Sequence, residues 1–306
     1  NGRIFVGDVN YPAGPDGLLE ADGLTDSLIA NGVRMMRFKT GTPARVLSSS
    51  IDYSKMEEQG GDEDIVPFSF ETENVGENVA KCYMTYTNLE THQIIKDNLH
   101  LAPLYSGMIK GIGPRYCPSI ETKLVTFADK DQHQLFLEPE GVDTQEYYLN
   151  GFSSSLPIDV QLEALRKIEC FRDVQVYRPG YAIEYDYFDP TQLYHTLESK
   201  VVENLYFAGQ VNGTTGYEEA AGQGLIAGIN AARRALGEEP FLYPEETMLG
   251  AMAAYVSRGS TGKFQPMNAN FGIIEPLGYR VKGGKTAKNE ALAARSLEII
   301  DGLCQS

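Results

Sequence analysis

The segment from Leu205 to Leu236 places the tightest limit on the fold. It opens with a short apolar run, Leu205-Tyr-Phe-Ala208, passes through the glycine-rich stretch Gly209-Gln-Val-Asn-Gly-Thr-Thr-Gly216, and enters a long helical pattern from about Tyr217 to Leu236. A short apolar run followed by a helix reads as a strand of a buried sheet. Thr215 and Glu218 have capping-box spacing, which predicts the helix start. Ala220, Ala221, Gly224, Ala227, Gly228 and Ala231 form a small-residue face that lets the helix lie close to a sheet or a cofactor. Gly224 and Gly228 also have the spacing of a membrane dimer motif, but Arg233, Arg234 and the polar first turn argue against one. Strand, turn and helix in this order predict an α/β class.

The rest of the chain changes texture around that unit. Arg3–Val6 and Val33–Phe38 read as strands, with a short helix over Leu24–Asn31 closed by Gly32. After Lys39 come short alternating runs separated by Gly, Pro and Asn. The clearest are Ala80–Thr87, Lys123–Phe127, Gln134–Glu138 and Ala182–Tyr187. One helix interrupts them, with Pro157 at its first turn and Val160, Ala164, Leu165 and Ile168 on one face. The expected organisation is therefore a first α/β portion at 1–38, a β-rich insertion at 39–187, a return to the α/β portion at 188–240, and a partly helical tail at 241–306. Asn1-Gly-Arg-Ile-Phe-Val-Gly7 reads as a strand already under way, so the chain is expected to be a piece of something longer.

Composition narrows the chemistry. With 306 residues, 42% of them hydrophobic, the chain can bury a sizeable core. Its net charge of −16 opposes casual binding of a polyanion and leaves only a local basic patch for one. The densest such cluster is Arg280, Lys282, Lys285 and Lys288, where nucleic-acid phosphates or plain solvent are both reasonable neighbours. The four cysteines, at 82, 117, 170 and 304, form no Cys-x-x-Cys pair, and the four histidines no metal motif, so no metal site is expected. Scattered cysteines suit a reducing, cytoplasmic setting. No apolar run has membrane-spanning length, and no membrane partner is expected.

Two stretches carry chemistry. Cys117 sits in Gly113-Pro-Arg-Tyr-Cys-Pro-Ser-Ile-Glu-Thr-Lys123, on a stiff loop where Pro118 keeps it out of helical geometry and Arg115 favours its thiolate. A buried structural cysteine is the plainer alternative. The turn after Ala208 can present backbone N–H groups and a positive helix end to an anion, and in flavoenzymes such an end commonly faces the isoalloxazine edge. Glu218 and Glu219 argue against a bare pyrophosphate there, and tight helix–sheet packing explains the same spacing.

Further stretches give a family resemblance. Arg37-Phe-Lys-Thr-Gly-Thr-Pro43, Thr85-Tyr-Thr-Asn88, Gly113–Lys123, His133-Gln-Leu-Phe-Leu-Glu-Pro-Glu-Gly141, Ser155-Leu-Pro157, Arg178-Pro-Gly-Tyr-Ala-Ile-Glu-Tyr-Asp186 and Phe207–Gly224 resemble, in order, the GidA family, also called MnmG. Those are flavin enzymes that modify wobble uridines of tRNA. The likeness covers about residues 1–240. Phe264-Gln-Pro-Met-Asn-Ala-Asn-Phe-Gly272 instead resembles the tail of the TrmFO family, folate-dependent tRNA uracil-5-methyltransferases.

The resemblance implies an FAD-binding Rossmann-like domain with a β-rich insertion. Gly209, Gln210 and Gly213 become FAD contacts. Gly113, Pro114, Arg115, Tyr116, Cys117, Pro118, Ser119, Ile120, Glu121, Thr122, Lys123, Leu124, Val125, Thr126 and Phe127 match the family's nicotinamide dinucleotide stretch. Cys117 matches a catalytic cysteine, acting as nucleophile at uracil C6 or proton carrier at C5. Cys82 falls in a strand pattern and reads as a core thiol. His92, His100, His133 and His195 read as structural or surface residues.

The implied cofactors are FAD, NAD(P)H and methylenetetrahydrofolate. The implied partners are tRNA, a second copy of the chain and a GTPase of the MnmE type. The family's first Gly-x-Gly-x-x-Gly fingerprint and a second functional cysteine are expected upstream of Asn1, and its flavin-touching serine turn aligns near Glu20–Asp22, where this chain has no serine. The alternatives are the methyltransferase activity, a small-molecule FAD/NADH oxidoreductase, and a non-catalytic RNA-binding module.

Overall fold

Strand β3, Met35–Leu47, is the spine of the molecule, and every other part is hung from it. In the computed structural model, which describes residues 1–67, 72–113, 118–258, 266 and 268–305, the chain runs β1 (Arg3–Val6), β2 (Val9–Pro12), α1 (Leu24–Ala30), β3, β4 (Glu57–Gln59), β5 (Cys82–Tyr86), α2 (Leu89–Asp97), α3 (Ile120–Thr126), β6 (Gln134–Pro139), β7 (Glu146–Ser153), α4 (Ile158–Leu165), β8 (Val176–Arg178), β9 (Tyr181–Phe188), α5 (Tyr217–Leu236), α6 (Met248–Arg258) and α7 (Gly284–Cys304). The strands form a nine-stranded sheet in the order β2-β1-β9-β3-β7-β6-β5-β4, with β8 also paired to β3. The ladders are antiparallel. β3 is long enough to serve two neighbourhoods. Met35–Thr42 pair with β9, and Pro43–Leu47 pair with β7 and β8, with a register shift between Pro43 and Arg45. Proline has no N–H to give a ladder, and a shift at Pro43 is where a strand tolerates one.

The mixed α/β class follows from helices laid on that sheet. One core gathers Val46, Ile95, Ile120, Leu124, Leu135, Leu137, Leu149, Phe152 and Leu165 from the second half of β3, from β6 and β7, and from α2, α3 and α4. A second gathers Val33, Phe188, Leu193, Leu197, Ile226, Ala227, Ala253 and Val256, under α5 and α6. Small residues on α5 do bring a neighbour close: a methyl group at Gly222 would lie 2.9 Å from Leu249 Cδ2. No helix among the described residues is long and apolar enough to cross a membrane.

Four local expectations need correction. Lys123–Phe127 is not a strand but the end of α3. Ser119 caps that helix, its Oγ accepting from Thr122 N, and Ile120 and Leu124, one turn apart, are buried together. The β-branched pair Val125-Thr126 obscured a 3.6-residue period. Leu205–Ala208 forms no ladder. Leu205 O accepts from Ser199 N at 2.7 Å and Phe207 N donates to Leu197 O at 3.1 Å, giving a single bridge between Glu198 and Tyr206. A buried strand needs a neighbour on each edge, and among the described residues this run has one on one edge only. The N-cap of α5 is Gly216 rather than Thr215. Its backbone has φ +130°, which glycine tolerates, and Thr215 Oγ1 donates to Asn268 Oδ1 at 2.9 Å instead. Finally, β-rich though the 39–187 stretch is, it holds α2 and α3 besides α4; Asn88 Oδ1 accepts from Thr91 N at 2.9 Å, a side-chain cap that starts α2.

Candidate functional site

Stretches far apart in sequence converge on the β3–β9 ladder. Segment 110–113 runs along the edge of β3 that β7 leaves open. Lys39 N donates to Ile112 O at 2.9 Å, and Ile112 N to Arg37 O at 3.0 Å, a parallel bridge opposite Phe38. Glu184 of β9 reaches the same segment. It is 7% exposed, and its Oε1 accepts from Lys110 N at 2.8 Å and from Gly111 N. Glycine is required at 111, because a Cβ would stand 2.8 Å from the Phe38 carbonyl carbon. On the far side, Gly7 N donates to Ser155 O at 2.7 Å, and Gln161 bridges Leu156 O and both backbone groups of Gly180 at 2.7–2.9 Å.

The next residue of β9, Tyr185, serves the glycine-rich turn. Its hydroxyl accepts from Gln210 Nε2 at 2.6 Å. Beneath it Phe38 stacks on Tyr187 at 3.9 Å and tilts against Tyr185 at 5.8 Å. Alternation sends Glu184 and Tyr185 to opposite faces. One strand thus holds the two candidate segments from its two sides. Nearby, Arg37 pairs with Asp186 at 2.6 Å. Burial pushes the Asp186 carboxyl up, but the Thr25 hydroxyl and the Arg37 guanidinium outweigh it and hold the group below its ordinary value.

The turn itself is stiff. Gly209 and Gly213 have φ +85° and +82°, the left-handed region that favours glycine, and both are buried. A closed set of amides holds them. Asn212 Nδ2 donates to Phe207 O at 2.9 Å and to Gln223 Oε1 at 2.6 Å, and Gln223 Nε2 donates to Thr214 Oγ1 at 2.7 Å. Gln210 is exposed at the crest of this turn. Among the described residues no side chain caps α5, so its first N–H groups are left to other acceptors. Glu219 in the same first turn is 4% exposed and folded back on the helix start, its Oε1 accepting from Ala269 N and its Oε2 lying against Gly216. Of the two carboxylates that argued against a bare pyrophosphate here, Glu219 is internal and Glu218 is exposed, and the glycine backbone and exposed amide fit the edge of a flavin.

Of the 113–127 stretch, Pro114, Arg115, Tyr116 and Cys117 lie outside the described residues. Gly113 lies beside Lys39, and Pro118 and Ser119 lead into α3. Ile120, Glu121 and Leu124 are in the core. Glu121 is 1% exposed, and its Oε1 accepts from Ser154 Oγ at 2.8 Å and Ser155 N at 2.9 Å. Lys123 Nζ donates to Gly151 O at 2.8 Å. Side-chain contact with a nucleotide from the described part is left to Thr122 and the exposed Val125, Thr126 and Phe127.

Two of the other cysteines, Cys82 and Cys170, have no activated thiol. Burial raises Cys82 and pushes Cys170 up to about 11. Cys304 is exposed near the end of α7. His92 is buried against Thr87, its Nε2 2.7 Å from Thr87 Oγ1. A hollow of 740 Å³ between 191–200 and the end of α5 lies away from this ladder. Its cations are engaged, Arg234 with Glu203, Arg258 with Glu245 and Lys200 with Thr191 O. Sequence reasoning did not single out Glu184, Tyr185 or Glu121 as the residues that hold the site. Glu184 and Tyr185 stand in a strand pattern whose alternation was legible, but their partners were not.

Comparison with known proteins gives a consistent picture. Residues 1–239 match the family model described as "Glucose inhibited division protein A". The chain is 56% identical over 257 residues to the tRNA uridine 5-carboxymethylaminomethyl modification enzyme MnmG of Parabacteroides distasonis, covering 84% of this chain and 40% of that one. It is 58% identical over 295 residues to the MnmG of Caldicellulosiruptor saccharolyticus, covering 92% and 47%. The form I crystal structure of Aquifex aeolicus GidA superposes with a TM-score of 0.79 at 45% identity, covering 98% of this chain and 50% of that one. That coverage takes in most of the tail beyond residue 240 as well. The chain spans about half the length of the relatives it matches.

Proposed function

The chain belongs to the glucose inhibited division protein A family, and from that premise we propose that it is the flavin- and substrate-holding portion of a tRNA-uridine-modifying enzyme. The reaction is addition of a folate-derived one-carbon unit at C5 of a wobble uridine, leading to the 5-carboxymethylaminomethyl group. The observation that carries this reading is the convergence on β9, whose neighbouring residues Glu184 and Tyr185 hold the segment leading to Cys117 and the Gln210 turn. The relatives named for this modification support the product. The 264–272 likeness to the methyltransferase family gives a 5-methyl group as the alternative product; residues 264, 265 and 267 of it lie outside the described residues.

Gly209, Gln210 and Gly213 hold FAD at the open end of α5, Gln210 through its exposed amide. When bound, FAD would take reducing equivalents from NAD(P)H and would supply the carrier chemistry that moves the methylene unit of methylenetetrahydrofolate to uracil C5, where the amine of glycine would complete the carboxymethylaminomethyl group. The 113–127 stretch faces the nicotinamide nucleotide through its backbone and outer side chains. Cys117 adds its thiolate to uracil C6 or carries the C5 proton. The working unit is a cytoplasmic homodimer with an MnmE-type GTPase, and the domains divide near residues 38, 187 and 240.

The test is uridine modification of undermodified tRNA by the polypeptide that carries this chain, supplied with FAD, NADH, the folate, glycine, GTP and the GTPase, and read by mass spectrometry of the digested nucleosides. The unsubstituted protein yields the 5-carboxymethylaminomethyl mass. Cys117→Ser lowers turnover about a hundredfold or more with tRNA binding retained. Near-normal turnover in that variant removes Cys117 from the chemistry, and a tRNA whose uridines stay unmodified by the unsubstituted protein overturns the function.

A further inference from the structure

We infer that the hollow formed by residues 276–288 is a docking surface for the phosphate backbone of RNA. The inference rests on the reading that the chain acts on tRNA, and it assigns the surface that holds the strand. The hollow measures 1200 Å³ and is lined by residues 276–285 and Lys288, which run into the start of α7. Arg280, Lys282, Lys285 and Lys288 all line it, and all are exposed. Lys285 and Lys288, three apart on α7, share a helix face.

Clustering around one concavity sets these cations apart. Many of the chain's other basic groups are neutralised, and those that have no ion pair among the described residues, such as Lys130 and Arg166, do not line this hollow. Arg34 pairs with Asp189, Arg37 with Asp186, Arg45 with Glu140, Lys81 with Glu58, Arg234 with Glu203 and Arg258 with Glu245. Among the described residues none of the four cations around the hollow has an ion pair or hydrogen bond, although the chain has 42 acidic residues to 26 lysines and arginines. Four unpaired like charges held around one concavity repel each other, and a polyanion relieves that repulsion.

A single small anion would be met by one or two such groups. A spread of four around a wide, open hollow fits successive phosphates of a strand. Tyr279, 69% exposed on the same rim, adds a ring on which a base can stack. The net charge of −16 opposes a polyanion over the chain as a whole, so a local cluster of cations is what can hold one.

The experiment measures binding of a fluorescently labelled, unmodified tRNA transcript to the chain from 50 to 300 mM NaCl. The variant R280Q/K282Q/K285Q/K288Q, checked for unchanged circular dichroism and thermal midpoint, is expected to lose about 3 from the slope of log K against log[NaCl], at about 0.7–0.9 per phosphate contact. Its affinity at 100 mM NaCl falls about tenfold or more. The variant K282R/K285R/K288R keeps the original slope. K55Q/K81Q/K167Q/R234Q removes the same charge from paired sites and shifts the slope by less than about 1. An unchanged slope in the first variant, or an equal loss in the paired-site control, overturns the docking surface while leaving tRNA as substrate. Absence of tRNA binding by the unsubstituted chain at 50 mM NaCl overturns both.

Discussion

Replacing Glu121 tests the internal frame of the site most directly. Its Oε1 accepts from Ser154 Oγ and Ser155 N, and it is 1% exposed. In Glu121→Ala both donors lose their acceptor inside the core. An unsatisfied buried donor costs about 1–3 kcal/mol, so the pair predicts about 2–5 kcal/mol of lost stability. The variant also leaves a void beside Ile120 that adds to this figure. Glu121→Gln keeps an oxygen at the Oε1 position. Its new amide meets the place of Oε2, which is buried and has no hydrogen-bond partner among the described residues, so the loss is smaller, about 1 kcal/mol. Urea unfolding, followed by far-ultraviolet circular dichroism and extrapolated to water, reads both values. A Glu121→Ala variant within 1 kcal/mol of the unsubstituted chain, or a Gln variant worse than Ala, refutes the brace. The same measurement separates bracing from nucleotide contact, because a residue that only touches a ligand leaves stability without ligand unchanged.

Gly216→Ala is expected to destabilise by about 1–3 kcal/mol through its φ of +130° alone. The new methyl also lands 1.8 Å from Glu219 Oε2. Removing Glu219 in the same chain recovers the clash and not the strain, which a double-mutant cycle by thermal unfolding separates; full recovery would show that the backbone there is unstrained. His92 gives a pH signature. Burial and the neighbouring His133 ring, 5.4 Å away, lower it to about 4, with Lys96 lowering and Asp131 raising it. A group harder to protonate when folded adds stability that is complete above its unfolded value of 6.5 and is lost as pH falls towards 4. That loss is about 2 kcal/mol at pH 5 relative to pH 7.5. His92→Gln removes this part of the pH dependence, and equal pH profiles for the two proteins in urea unfolding would disprove it.

Local order was legible in the sequence where one segment determines it. The helix from Tyr217 to Leu236 and the strand Arg3–Val6 match their patterns residue for residue. Periodicity and a glycine stop are properties of a single segment and need no partner to be read. The likeness of ordered stretches to the GidA family likewise needed no coordinates, and the family model over residues 1–239 agrees with it.

What the sequence could not decide were pairings. Leu205–Ala208 has a strand's composition, but a strand exists only where neighbours complete its ladder, and among the described residues it has one bridge. Lys123–Phe127 has β-branched residues, yet the Ser119 cap and the burial of Ile120 and Leu124 against the sheet make it helical. Glu121, Glu184 and Tyr185 are ordinary residues in their own segments. Each acquired its role from a partner between 25 and 74 positions away. Hydrogen bonds of that kind depend on which elements lie side by side, and only the tertiary arrangement, of β3 with β9 and of α3 with the end of β7, brought them within reach.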